Sequence, residues 1–85
     1  MPTRTVTVGS AVGLHARPAA IIADAAAEFD SDITIGVPGG EPVDASSALL
    51  IMTLGAGKGA EVEVTSDDEA ALERIAGLVA EDLDA

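Results

Sequence analysis

Proline at position 18 is the strongest constraint this chain places on its own fold. It stands in Gly13-Leu14-His15-Ala16-Arg17-Pro18-Ala19-Ala20, at the head of an alanine-rich run. Proline lacks an N–H and its ring collides with the preceding turn. A helix therefore tolerates it only in the first turn, where the N–H would have no intrahelical acceptor. Beyond it, Ile22, Ala25, Ala26 and Phe29 recur at the i, i+3, i+4, i+7 spacing of one helix face. The helix must then begin at about His15 to Arg17, which sets the only histidine of the protein at a helix N-terminus. Arg17, Asp24 and Glu28 fall together on a different face, because their spacings are close to whole turns.

The other segments change period. Thr3 to Val8 alternates, with Val6 and Val8 on one side, and reads as a half-buried strand. Gly9 to Gly13 is a loop leading into the histidine. Ile33, Ile35 and Val37 mark a second strand, Pro38-Gly39-Gly40 a turn, and Glu41 to Val43 a short third strand pairing back as a hairpin. Ser46 and Ser47 offer caps to a short apolar helix over Ala48 to Leu54, stopped by Gly55. Gly55 to Gly59 reads as a flexible loop. Glu61 to Thr65 alternates again, with Val62 and Val64 inward. Ser66-Asp67-Asp68-Glu69 has the spacing of a capping box and opens a last helix with Leu72, Ile75, Ala76, Val79 and Leu83 on one stripe. Glu81, Asp82 and Asp84 stand at the negative end of that helix.

The order β-α-β-β-α-β-α, with single-faced strands and single-striped helices, calls for an α+β fold with one antiparallel sheet and the helices on one side. Its 85 residues leave room for one domain, spanning 1–85. Phe29 is the only aromatic residue, so the core must be a thin one of Ile, Leu, Val, Met and Ala. There are no cysteines, so thiolate metal sites and thiol nucleophiles are excluded, and one histidine with scattered carboxylates makes a metal site a poor expectation. No cofactor is expected. The N-terminal stretch shows no apolar signal core and no run is long enough to span a bilayer, so the expectation is a cytoplasmic protein.

The formal charge is −11, from 15 acids against four basic residues. Nucleic acid and anionic membranes repel such a chain, which makes both poor partners. The excess reads either as an adaptation to high intracellular salt or as a general bias of the source organism.

What chemistry fits His15? Imidazole titrates at about pH 6.5, so its neutral, nucleophilic form is abundant at neutral pH. A phosphoryl group on the ring carries about two negative charges. Free N–H groups at a helix start point at such an anion and the helix dipole favours it. Arg17 adds a permanent cation with donors suited to phosphate oxygens. The parts suit a transient phosphoryl acceptor. They do not suit an independent enzyme, since no second base or paired carboxylate is evident. From the residues alone a plainer role stays open, in which His15 merely caps the helix of a non-phosphorylated binding module.

Gly13-Leu14-His15-Ala16-Arg17-Pro18-Ala19 resembles the active-site signature of HPr, the phosphocarrier family of the bacterial phosphoenolpyruvate:sugar phosphotransferase system (PTS). Ser47-Ala48-Leu49-Leu50-Ile51-Met52-Thr53-Leu54-Gly55 resembles the family's second signature, and Lys58-Gly59-Ala60 its approach to the last strand. The resemblance implies an HPr-like open-faced sandwich, a four-stranded sheet covered by three helices. It implies that enzyme I phosphorylates His15 on Nδ1, that Arg17 and the backbone amides of Ala16 and Arg17 hold the phosphoryl group, and that an enzyme IIA domain receives it. A paralogous carrier with a nitrogen- or kinase-linked regulatory role would share this chemistry. Ser47 matches the serine that a dedicated kinase, HPr kinase/phosphorylase, modifies in some bacteria. The partner surface would comprise Ala16, Ala20 and Ile21 with Ala48, Leu49 and Met52, on a monomer. One face of the short second helix is expected to be core, with Leu49 and Met52 partly exposed.

The chain also departs from the family. Val12 replaces a residue that is polar in many relatives, removing a side-chain contact to phosphate. Asp24 and Glu28 stand where several relatives carry basic residues that steer toward an acidic enzyme I. Either the partners here are more basic, or docking works at high salt through apolar contact.

Overall fold

The computed structural model describes residues 2–10 and 13–81. Their order is β1 (Thr3–Thr7), α1 (Ala16–Ala27), β2 (Ile33–Gly36), β3 (Val43–Asp44), α2 (Ala48–Met52), β4 (Glu61–Ser66) and α3 (Glu69–Ala80). The strands form one antiparallel sheet in the order β1-β4-β2-β3. This is the expected α+β arrangement.

Strand alternation decides which face is covered. The register sets Val6 against Val62 and Ile35 against Val64, and the buried Ile33, Ile35, Val62 and Val64 face the helices. The other face carries Thr3, Thr5 and Thr7 opposite Thr65, Glu63 and Glu61, and stays open. Onto the covered face α1 packs Pro18, Ala19, Ile22, Ala23, Ala25 and Ala26, and α3 packs Leu72, Ile75, Ala76 and Val79. Ile22, Ile35, Ile51 and Ile75 are fully buried, each contributing about 1.5–3 kcal/mol. With so few large side chains, alanines fill much of the core, and α1 lies close beside α2 and α3.

Several boundaries move. β1 ends at Thr7, yet Val8 remains buried and continues the pairing, its N–H donating to Ala60 O at 2.9 Å. The third strand is Val43–Asp44 rather than Glu41 to Val43, because Pro42 has no N–H to give a ladder. The short helix ends at Met52, short of Leu54, and Gly55 takes a left-handed φ of +64° just beyond. The capping box is corrected. Ser66 is the last residue of β4, and Asp68 is the N-cap, its carboxylate accepting from Ala70 N at 3.0 Å and Ala71 N at 3.3 Å. Ser66 Oγ instead accepts from Asp68 N at 3.1 Å, one step earlier in the turn. Val12, Asp82, Leu83 and Asp84, named above from the sequence, lie outside the described residues.

Gly77 is exposed in the interior of α3, and a Cβ there would meet nothing within 4 Å. Gly77→Ala should therefore stabilise the fold by about 0.5–1 kcal/mol, since alanine loses less backbone entropy in a helix. The check is a thermal midpoint raised by roughly 2–8 °C.

Candidate functional site

The segment before α1 is pinned from two sides. Gly9 N donates to Val79 O at 3.1 Å, and a Cβ on Gly9 would lie 2.1 Å from Ala80 O, so only glycine lets the chain pass the end of α3 this closely. The buried Ser10 donates its hydroxyl to Glu81 O at 3.3 Å. Gly13 N then donates to Ser10 O at 2.9 Å, and Leu14 N to Ala56 O at 2.8 Å. Leu14 is buried, which anchors the loop in the core directly before the histidine.

His15 is the N-cap of α1, with extended backbone angles φ −94° and ψ −166°, and its carbonyl takes the first helical bond from Ala19 N at 2.8 Å. Its side chain is exposed and makes no capping hydrogen bond. The imidazole is therefore not occupied in stabilising its own helix. The N–H groups of Ala16 and Arg17 lie in the first turn, where the helix supplies no acceptor, and Pro18 has no N–H to satisfy. Both residues are exposed. Arg4 is paired with Glu73, whereas Arg17 has no ion pair or hydrogen bond among the described residues. Its guanidinium is available to an anion at the helix start.

His15 lines a shallow hollow of about 200 Å³ with Leu14, Met52, Gly55, Ala56 and Gly57. The hollow joins the start of α1 to the end of α2 and the loop after it. Among the described residues His15 is the one ionisable side chain that lines it. No group of three or more His, Cys, Asp or Glu able to hold a metal occurs among the described residues.

The other anticipated residues fall on the two neighbouring helices, which pack against each other. Ala16 and Ala20 are exposed, Ile21, Ala48 and Met52 half-buried, and Leu49 is 70% exposed. Ile51 points into the core, giving α2 its buried face. Leu50, which sequence reasoning passed over, is 39% exposed and belongs with Leu49. A five-residue helix is too short for periodicity to tell its faces apart. The sequence makes Gly55 to Gly59 a flexible loop, yet its Gly55, Ala56 and Gly57 line the hollow with His15. Ser47 is half-buried and caps α2, its Oγ accepting from Leu50 N at 3.3 Å.

Comparison with known proteins adds an independent line. A family model described as the PTS HPr component phosphorylation site matches residues 2–81. The phosphocarrier protein HPr of Streptomyces coelicolor is 49% identical over 87 residues, covering 99% of this chain and 94% of that protein. Among solved structures, a phosphocarrier protein HPr from Bacillus anthracis superposes with a TM-score of 0.85 at 37% identity, covering 92% of this chain and 95% of the other. An HPr dimer from Thermoanaerobacter tengcongensis matches with a TM-score of 0.68 at 33% identity, covering 93% of each chain.

Proposed function

This chain belongs to the HPr family of phosphocarriers of the phosphotransferase system, and we propose that it accepts a phosphoryl group from enzyme I on His15 Nδ1 and passes it to sugar-specific enzyme IIA domains. The observation that carries this reading is the free imidazole at the head of α1, exposed, making no cap bond, beside first-turn amides without acceptors. A histidine kept there for capping would spend its side chain on the cap. The transfer needs little else. The Nδ1 lone pair attacks phosphorus, the N–P bond forms as the bond to the donor breaks, and the sequence reverses toward the acceptor. The amides of Ala16 and Arg17 and the Arg17 guanidinium hold the phosphoryl oxygens. Among the described residues no carboxylate lines the hollow with His15, which suits a carrier that must not hydrolyse its cargo.

The partners dock, on this reading, on Ala16, Ala20 and Ile21 with Ala48, Leu49, Leu50 and Met52, where apolar surface surrounds the histidine. Ser47 stands at the edge of that surface. A phosphate placed there by HPr kinase/phosphorylase adds about two negative charges beside the docking residues and weakens binding of an acidic partner. The carrier works as a cytoplasmic monomer, and no described helix is long and apolar enough to cross a membrane.

The test is incubation with cognate enzyme I and phosphoenolpyruvate. The expected product carries one phosphoryl group per chain, labile in acid and stable in base, and loses it to an added enzyme IIA domain. No modification by an enzyme I that phosphorylates another HPr in the same assay would defeat the reading.

A further inference from the structure

Two polar side chains are buried among the described residues, Ser10 and Ser66, and they meet α3 at opposite ends. Ser66 acts locally. Its Oγ accepts from Asp68 N at 3.1 Å, in the turn that starts the helix. Ser10 reaches across the chain instead. It is 1% exposed, and its hydroxyl donates at 3.3 Å to Glu81 O, a carbonyl 71 residues further on. A buried hydroxyl costs free energy unless it is hydrogen-bonded, so alanine would fill this place more cheaply if the bond did nothing.

The bond is part of a clamp. Carbonyls in the last turn of a helix lack intrahelical partners. At the end of α3, Val79 O takes Gly9 N at 3.1 Å, and Glu81 O takes the Ser10 hydroxyl. No basic residue stands in that last turn. On the other side, Ser10 O accepts from Gly13 N at 2.9 Å, and Leu14 N donates to Ala56 O at 2.8 Å. Ser10 thus holds α3 through its side chain and Gly13 through its backbone, just ahead of His15.

We propose that Ser10 is a positioning residue for phosphotransfer: its bond to the end of α3 fixes the angle at which the loop presents the His15 imidazole to the phosphoryl donor. This rests on the phosphocarrier reading above. The ring is exposed and makes no capping bond, so its direction depends on the backbone that carries it. A single tether from Leu14 to Ala56 would act as a pivot. The bonds to α3, whose Ile75 and Val79 are fully buried, remove that swing. In-line transfer needs the attacking nitrogen aligned with the bond that breaks, and a misplacement of about 1 Å can cost on the order of a hundredfold. The docking residues belong to α1 and α2, whereas Ser10 is tied to α3. Its loss should therefore act on the transfer step and not on encounter.

The test compares Ser10→Ala with Ser66→Ala in the full chain. Each removes a buried hydroxyl beside α3, and each should lower the thermal midpoint by roughly 5–15 °C. Transfer from phosphorylated enzyme I is then followed at a temperature where circular dichroism shows every variant folded. Ser10→Ala should lower kcat about tenfold and leave KM within about twofold. Ser66→Ala should keep both within about twofold of the natural chain. Ser10→Cys, similar in size but a weaker donor, should fall between the natural chain and Ser10→Ala, and it carries the test if the alanine variant does not fold. Equal slowing by Ser10→Ala and Ser66→Ala, a loss confined to KM, or transfer by Ser10→Ala at the natural rate would each overturn the proposal. In those three results the natural chain still takes label, so the phosphocarrier reading stands. A natural chain that takes no label defeats that reading and this one together.

Discussion

His15→Ala is expected to abolish phosphorylation by enzyme I while leaving the fold almost untouched. Substituting a polar N-cap by alanine usually costs about 0.5–2 kcal/mol, and the loss is that of a side-chain bond to the first-turn amides. His15 makes no such bond and its ring lies in solvent. The stability change should therefore stay within about 0.5 kcal/mol, below the usual range for a lost cap. Labelling is a different matter. The chain has no other histidine and no cysteine. Among the described residues no hydroxyl side chain lines the hollow with His15, so residual label should fall below about 1% of the natural chain's. Mass spectrometry of intact protein after exposure to enzyme I and phosphoenolpyruvate reads the first quantity, and chemical unfolding of the same preparation reads the second. Substantial label on the variant would move the acceptor elsewhere. A large loss of stability would return His15 to a structural role.

Much of this site was legible because its signals are local. Pro18 permits only one helix start, and the start carries His15 and Arg17 with it. Strand faces followed from period-two alternation, and Val62 and Val64 are buried as that pattern requires. What escaped depends on contacts between distant segments. Nothing near Ala56 announces that its carbonyl takes Leu14 N, or that the loop around it backs the histidine. The misplaced cap has a similar origin. Ser66 matches the capping-box spacing, but pairing with Ile33 and a bond to Pro2 O draw its backbone into β4, leaving Asp68 to start the helix. Sheet pairing outweighed a local preference there. In the second signature the sequence sets the start of α2 at Ala48 but runs it past its end at Met52, and only packing against the core shows that Ile51 is the inward residue and Leu50 an outward one.

Gly13→Ala should damage both stability and transfer, although it touches neither His15 nor Arg17. Gly13 has a φ of +73°, where an L-residue with a Cβ is strained by about 1–2 kcal/mol. A Cβ would also lie 2.4 Å from Ala56 O and 2.7 Å from Gly57 Cα. Both obstacles are backbone, so no side chain can rotate away, and the overlap adds an overpacking cost of about 1–3 kcal/mol. The total, about 2–5 kcal/mol, corresponds to a midpoint lowered by roughly 10–30 °C in a chain of this size. The separation that relieves the overlap runs between the loop before His15 and the Gly55 to Gly57 wall, the two sides of the hollow. It also pulls on the bond from Leu14 N to Ala56 O, which is the last tether before the histidine. Transfer from enzyme I should therefore slow even at temperatures and salt concentrations where the variant remains folded, by about tenfold if misalignment costs about 1.4 kcal/mol. Gly55→Ala separates strain from overlap. Gly55 has a φ of +64° but a Cβ there meets nothing within 4 Å, so it carries the backbone strain alone. If the two variants lose equal stability, the overlap with Ala56 contributes nothing. If Gly13→Ala loses clearly more, and loses transfer as well, the close approach of these two loops is what holds His15 in place.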